Sequence, residues 1–551
     1  MDQAIARLKE SAPVFARLSI RQRIQLAQAV RSGYAGVAAA TVAAACQAKR
    51  IPIRDRLAGE EWVLGPVITL QNLRLLIDAL ESLDRYGTTP VGQAGRTLDG
   101  RVAVDVFPLT RLDSVVFRNV AATVHLDSAS QMEARAPFYS GDRHEGTVVL
   151  VLGGGNVNAI PPLDVMTKMF NEGKVCLLKM NPVNAYLGPF LETAFAEPIA
   201  RGFLQVTYGA AEEGAYLARH PGVDEVHLTG SDRTHDALVW GDPGPERESR
   251  RSQNTPLLNK PITSELGNIS PVIVVPGPYS PRQLAWQAES IAGGITNNAS
   301  FNCNANKMLI TSGSWAGRST LMTAIESVLR DAPARYAYYP GAADRYRALT
   351  AGRVALDTFG DERDGTLPWA VIRDLDAADR EERAFRIEPF CSVLSETPLQ
   401  SDDPIEFLAE AVRFANDRLW GTLVATIVVH PAMLAAPGGR DALERAIIHL
   451  RYGTVGVNIW GAYGFALGVP WGGHPSASLR NVQSGLGFVH NTSMMTGIEK
   501  TVIRHPLTGF PRPLFFPSHR TAHIVGPRLT ALEATGNWLR LPPVLSAAVR
   551  G

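Results

Sequence analysis

Apolar residues recur at helical spacing through the first 85 residues. Ala4, Leu8, Phe15 and Leu18, then Ile24, Leu26, Ala29 and Val30, fall close to one helical face, so residues 1–85 read as helical. The pattern changes between 100 and 125, where 102–107 (Val-Ala-Val-Asp-Val-Phe) and 114–117 (Ser-Val-Val-Phe) predict short strands. From 147 onward, apolar runs alternate with helical stretches. Residues 147–152 end in Gly153, Gly154 and Gly155, the pattern of a strand buried on both faces that enters a Gly-rich turn. A helix around 162–172 and a second buried strand at 175–179 complete a βαβ unit of about 30 residues. A helix at 211–220 and a strand at 225–229 follow. Residues 270–275 open a second α/β region, and 423–430 is a further buried strand. The polar, charged, proline-bearing stretch 241–256 reads as an exposed insertion. The proline-rich stretch 501–551 has no clear periodicity and reads as an appended arm. No internal repeat is present.

Composition narrows the picture. At roughly 100–200 residues per unit, 551 residues predict two to four structural units. Lys plus Arg total 54 and Asp plus Glu total 53, a formal net charge of +1. That balance argues against a nucleic-acid partner or a polybasic membrane surface. No stretch approaches the ~18 uninterrupted apolar residues of a membrane span, and the polar start Met1-Asp2-Gln3-Ala4 lacks a signal core. Cys46, Cys176, Cys303 and Cys391 lie far apart, with no C-x-x-C pair and no zinc spacing. A soluble, reduced, cytoplasmic protein without a bound metal is the expectation.

Cys303 is the most informative candidate. It stands in an asparagine-rich run, Asn298 to Ala305, after Gly293 and Gly294, which read as a turn that presents the thiol. A thiolate is a nucleophile toward an aldehyde or thioester carbon; the alternative is a packed thiol. Asn156, after the glycine turn, could donate to an oxyanion or sit in an ordinary strand–helix turn. The G-x-G-x-x-G fingerprint is absent there. Lys179 ends a strand, where parallel sheets bind ligands, and could reach a ribose or phosphate or snorkel to solvent. Thr229, Gly230 and Ser231 could hold a pyrophosphate, or Ser231 could simply cap a helix. Glu265 could activate water, and Glu388 stands beside Phe390; both could equally be solvated loop acids. Cys391 reads as a packing residue.

In order and spacing, these segments resemble the aldehyde dehydrogenase superfamily over roughly residues 10–500. Asn156 in Gly-Gly-Asn-Val-Asn takes the place of the asparagine of P-W-N-F-P. Gly173 to Lys179 matches G-N-x-x-x-x-K, and the interval from Asn156 to Lys179 is the family's 23 residues (179 − 156). Gly209 to Gly214, His220-Pro221 and Leu228 to Ser231 resemble the G-x-x-x-x-G, His-Pro and F-T-G-S passage. Lys260 to Gly267 resembles K-P-x-x-x-E-L-G-G, Asn298 with Cys303 fits N-x-G-Q-x-C, and Glu388-Pro-Phe resembles E-x-F-G-P. Gly453 to Asn458 and Pro470 to Gly473 match G-x-x-x-x-N and P-F-G-G. The departures are Ser300-Phe301 for Gly-Gln, Asn268 for the second glycine of E-L-G-G, and Cys391-Ser392 after Phe390. Pro182 stands where many NAD-using members carry a glutamate, which removes a ribose contact and its repulsion of a 2′-phosphate.

The resemblance implies an α/β fold: a Rossmann-like cofactor domain over 1–264 with an oligomerisation hairpin within about 100–145, and a catalytic domain over 265–455. Residues 456–500 would return to the cofactor domain and supply an oligomerisation strand, with 501–551 as an extension. It implies Cys303 as nucleophile, Glu265 as general base and Asn156 as oxyanion donor. Lys179, Gly214, Thr229, Gly230, Ser231, Gly267, Glu388 and Phe390 would bind NAD or NADP. The implied activity is oxidation of an aldehyde to a carboxylic acid through a thiohemiacetal and a thioester, in a homodimer or homotetramer. A CoA-dependent aldehyde dehydrogenase or acyl-CoA reductase is one alternative, and a catalytically inactive binding homologue another. Phe301, Trp460, Tyr463, Phe465 and Trp471 could line a substrate funnel or belong to the core.

Overall fold

The computed structural model describes residues 1–127, 134–141 and 145–551. Two sheets carry the architecture. The smaller runs, edge to edge, Gly485–Leu486, Ile262–Leu266, Glu225–Gly230, Val148–Leu152, Val175–Lys179 and Leu204–Thr207. All of its neighbours pair in parallel except the Gly485–Leu486 edge. The two central strands, Val148–Leu152 and Val175–Lys179, are buried at every position, because helices cover both faces. These are the strands that the unbroken apolar runs predict.

The larger sheet has a parallel centre: Thr454–Val457, Val424–Val428, Ser270–Val274, Asn306–Ser312, Val393–Leu399 and Trp369–Ile372. Its far edge is Leu356–Phe359. On the other side Ile498–Arg504 pairs in parallel with Thr454–Val457 and antiparallel with the hairpin Val102–Phe107 and Ala121–Leu126. The hairpin expected to pair subunits is therefore seated in its own chain's sheet. Beyond it only the short, exposed strand Ala94–Arg96 remains at the edge.

The N-terminal region is helical as predicted, with helices Asp2–Ala16, Ile20–Ala48 and Ala58–Trp62, and Ile68–Tyr86 beyond a π turn. The continuous helical rod 58–86 is long and apolar enough to cross a bilayer by length and composition. However, 83% of its most apolar window is buried inside the protein.

Three expectations need correction. Residues 114–117 are not a strand: they fall in and just after the helix Arg111–Val116. Thr110 caps it by accepting from the Asp113 N–H at 3.1 Å, and Leu112 and Asp113 are buried. The 241–256 stretch is largely exposed, as expected. It holds the helix Pro245–Gln253, with proline in the first turn, Glu246 and Glu248 at its start, and Arg250 and Arg251 at its end. Gly293 and Gly294 are not a turn: they lie inside the helix Pro281–Thr296. Their missing side chains admit the Phe515 carbonyl and the Asn306 amide. Finally, 501–551 is not an appendage. Its first residues complete the strand Ile498–Arg504, and the helices Ala522–Thr535 and Leu541–Ala548 pack a buried cluster against Val67 and Leu112.

Candidate active site

The C-terminal ends of the parallel strands Val148–Leu152, Val175–Lys179, Glu225–Gly230 and Ile262–Leu266 carry Asn156, Lys179, Thr229 and Glu265. That is the edge of an open α/β sheet where ligands bind. Thr229 and Glu265 stand directly opposite each other in register. The larger sheet supplies the facing group. Cys303 lies between a short 3-10 turn, Asn297–Ser300, and the strand Asn306–Ser312.

Cys303 is half-buried, while the other three cysteines are buried and all four are free thiols. Cys391 is fully buried in an apolar cluster, the packing role its sequence context suggests. The Cys303 thiol and the Glu265 carboxyl face each other, and each shifts the other's ionisation. Burial, with the Glu265 and Glu388 charges, pushes the thiol well above its ordinary range. Burial, reinforced by Asp164 and Glu388, raises Glu265 to about 8 even though the thiol opposes it. Glu265 is 3% exposed, and its Oε1 has no hydrogen-bond partner among the described residues. An unpartnered buried acceptor beside a thiol is positioned to receive a proton. Trp471 lies beside the same carboxyl with its indole N–H outside hydrogen-bonding geometry.

Asn156 reaches the nucleophile loop. Its Nδ2 donates to the Phe301 carbonyl at 2.9 Å, two residues before the thiol, which uses one of its two amide hydrogens. Glu388 meets the loop at Gly267: its Oε1 accepts from the Asn268 N–H at 3.2 Å. A methyl group on Gly267 would fall on the Glu388 carboxylate. Burial raises Glu388 to about 8. Phe390, at a positive φ of 40°, places its ring 4.9 Å from Tyr339 and 5.7 Å from Phe301.

Lys179 is buried, and among the described residues its hydrogen-bonding contact is a long one of 3.5 Å to the Met180 carbonyl. Gly214 lies over its stem: a Cβ there would stand 3.7 Å from Lys179 Cδ and Cε. Burial lowers this lysine. Thr229 turns inward, its hydroxyl donating to Asp164 Oδ2 at 2.7 Å. Gly230 is exposed, and Ser231 caps the helix Asp232–Val239, accepting from the Thr234 N–H at 3.2 Å. The site residues thus form two groups. Cys303, Glu265, Glu388, Gly267, Asn156 and Phe390 surround the thiol, while Lys179, Gly214, Gly230 and Ser231 form a shelf along the smaller sheet.

The aromatic candidates divide too. Trp460 donates from Nε1 to the Asn304 carbonyl at 2.9 Å, beside Cys303, and with Tyr463 packs on Phe515. Phe301 stacks on Tyr339, meets Tyr338 edge-on and lies tilted against Phe390. Phe465 and Trp471 pack on each other in the core. Three charged groups without a sequence motif of their own also serve the site. Asp164 holds Thr229. Lys307 is buried and pushed down to about 8 by burial. It donates to the Ser300 carbonyl and hydroxyl and, at 2.7 Å, to the Cys391 carbonyl. Lys49 reaches Asn298 from the N-terminal helices.

No family model matches the chain. An N-succinylglutamate 5-semialdehyde dehydrogenase of Novosphingobium aromaticivorans is 25% identical over 272 residues, which are 48% of this chain and 53% of that protein. The chain thus spans about half the length of that curated relative. Among solved structures, an NADP-dependent glyceraldehyde-3-phosphate dehydrogenase from Bacillus halodurans C-125, complexed with NADP, superposes with a TM-score of 0.62. It is 18% identical, over 92% of this chain and 90% of that one. An NAD-dependent aldehyde dehydrogenase from Sinorhizobium meliloti superposes with a TM-score of 0.58, 18% identical over 93% and 88%. The fold of this chain is the aldehyde dehydrogenase fold.

Proposed function

We propose that this chain, built on the aldehyde dehydrogenase fold, oxidises an aldehyde to a carboxylic acid with NAD or NADP through Cys303. The observation that carries this reading is the half-buried Cys303 thiol set against the buried Glu265 carboxyl at the carboxyl ends of the strands. The rest of the site fits a nicotinamide cofactor. Lys179 is a cation with unspent donors, Gly230 and Ser231 offer the start of a helix, and Glu388 lies over Gly267 with Phe390 nearby. When bound, NAD or NADP supplies the acceptor for the hydride that leaves the substrate carbon.

In this reading Glu265, as carboxylate, takes the thiol proton. The thiolate forms a C–S bond with the aldehyde carbon, and the carbonyl electron pair moves to oxygen. The second Asn156 amide hydrogen and the Cys303 backbone N–H are the donors for that oxyanion; each such donor is worth roughly 3–4 kcal/mol. Loss of hydride leaves a thioester on Cys303. Once the thiol proton has passed from Glu265 to solvent, the Glu265 carboxylate takes a proton from water as the water oxygen attacks the thioester carbon; the C–S bond breaks, the acid is released, and the proton on Glu265 passes to the departing Cys303 sulfur. A carboxyl buried beside the thiol favours water as the acyl acceptor, because an attacking CoA thiolate would need no such base.

The test is Cys303→Ala assayed with a panel of aldehydes and each cofactor by NAD(P)H absorbance. Turnover should be lost while NAD(P) still quenches intrinsic fluorescence with wild-type affinity. Full activity in that variant overturns the assignment, and acid formed only when CoA is added would replace water by CoA as acceptor.

A further inference from the structure

The loop that carries Cys303 is an unusual piece of backbone. Asn298, Ala299 and Ser300 take φ values of 52°, 54° and 72°, three consecutive non-glycine residues in the left-handed region. Such a conformation persists only where its surroundings over-determine it. Most of the restraint passes through Asn298. Its Oδ1 accepts from Lys49 Nζ at 2.8 Å and lies 2.9 Å from the Tyr338 hydroxyl. The single Tyr338 hydrogen is shared between Asn298 Oδ1 and the Asn156 carbonyl, 3.0 Å away, so it is Lys49, which can only donate, that fixes the oxygen's side and turns the amide nitrogen toward the Asn156 carbonyl and Asn302 Oδ1, each at 2.9 Å. The Asn298 backbone N–H donates to Glu60 Oε2 at 3.0 Å, and Glu60 is held in turn by Arg335 at 2.8 Å.

Lys49 ends the helix Ile20–Ala48, and Glu61 lies in Ala58–Trp62. Their side chains are 5% and 0% exposed, and Lys49 Nζ stands 2.9 and 3.0 Å from the two Glu61 oxygens. A buried ion pair is weak evidence for stability, because apolar side chains of similar volume often serve as well. What apolar packing cannot supply is the remaining ammonium hydrogen, which orients an asparagine 249 residues away.

We propose that the Lys49–Glu61 pair is a positioning device: the N-terminal helices use it to set the Asn298 amide, and through Asn298 the backbone that carries Cys303 and meets Asn156. The proposal rests on Cys303 being the nucleophile, but its effect on the loop is readable without turnover.

The experiment compares wild type with Lys49→Met, the charge-free double variant Lys49→Met/Glu61→Met, and Tyr338→Phe, which removes the hydroxyl shared by Asn298 and the Asn156 carbonyl without leaving a buried charge. Alkylation of each cysteine by iodoacetamide is followed by mass spectrometry, with buried Cys176 and Cys391 as internal reporters of global unfolding. Cys303 alkylation should rise more than about fivefold in the Lys49 variants, and less in Tyr338→Phe, while Cys176 stays protected. kcat should fall by roughly 10- to 100-fold, as expected for a misplacement of about an ångström, with KM for NAD(P) unchanged. Restoring the charge with Lys49→Arg should recover part of kcat. A folded double variant or Tyr338→Phe with wild-type Cys303 reactivity and kcat overturns the proposal. If wild type turns over no aldehyde but the alkylation shift appears, the reaction assignment fails and the positioning role stands. If Lys49→Met exposes Cys176 as well, the double variant and Tyr338→Phe, read in the same way, decide the matter.

Discussion

At the residue scale the site is dominated by carboxyls held in their protonated form. Glu265 and Glu388 are both raised by burial to about 8. Their folded values lie above those of the unfolded chain, so the native state binds more protons and stability falls as pH rises from about 4.5 to 8. The advantage is complete below that window and gone above it. Replacing Glu388 by glutamine removes the titration, so its melting temperature, relative to wild type, should climb steadily between pH 5 and pH 9; a constant difference in differential scanning fluorimetry contradicts this. Glu265 gives the kinetic counterpart. As base it works once deprotonated, so the hydrolytic rate should rise through pH 8, and Glu265→Gln should lose that rise along with about 10²- to 10⁴-fold in rate. Cys303, Glu265, Asn156 and Glu388 are legible in the sequence because motif spacing survives divergence. Asp164, Lys307 and Lys49 are not: each has a partner 65, 84 or 249 residues away, and the nearer partners of Lys307 and Lys49, Ser300 and Glu61, form no motif with them.

At the element scale, local pattern predicts a strand or helix well when one face or two must be buried. The runs at 148–152 and 175–179 show this, being buried at every position. It does poorly with glycine and proline, whose meaning depends on what approaches them. Gly293 and Gly294 read as a turn but lie in a helix that needs close approach. Prolines 542 and 543 suggest an irregular arm but fall in the first turn of Leu541–Ala548, where the missing N–H is no loss. Gly59 and Gly526 mark the crossing of Ala58–Trp62 with Ala522–Thr535. A Cβ on Gly59 would stand 2.5 Å from Ala522 Cβ and 2.6 Å from its carbonyl carbon. Gly59→Ala should therefore destabilise the protein by about 1–3 kcal/mol through overpacking, measured by urea unfolding. An unchanged midpoint would show that the two helices are free to move apart.

At the scale of the whole molecule, the C-terminal segment closes the structure rather than decorating it. Arg74, in Ile68–Tyr86, sits between Asp113 at 2.5 Å and Glu533 at 2.7 Å, with all three side chains at or below 7% exposure. Removing one partner from such a buried set leaves charge uncompensated. Glu533→Ala should cost about 3–5 kcal/mol by chemical denaturation, and a loss below about 1 kcal/mol would mean the triad is not rigidly buried. The hairpin is the second whole-molecule finding. Within one chain it extends the larger sheet by pairing with Ile498–Arg504. By itself the sequence determined the buried strands, the strand–turn–helix units and the order of the chemical groups, since period and spacing are properties of a chain segment. Only the tertiary structure decided that Cys303 faces Glu265, that Glu388 lies over Gly267, and that the N-terminal helices reach the Cys303 loop. Those contacts join residues far apart along the chain, and burial, which sets their protonation and geometry, exists only once the segments have packed.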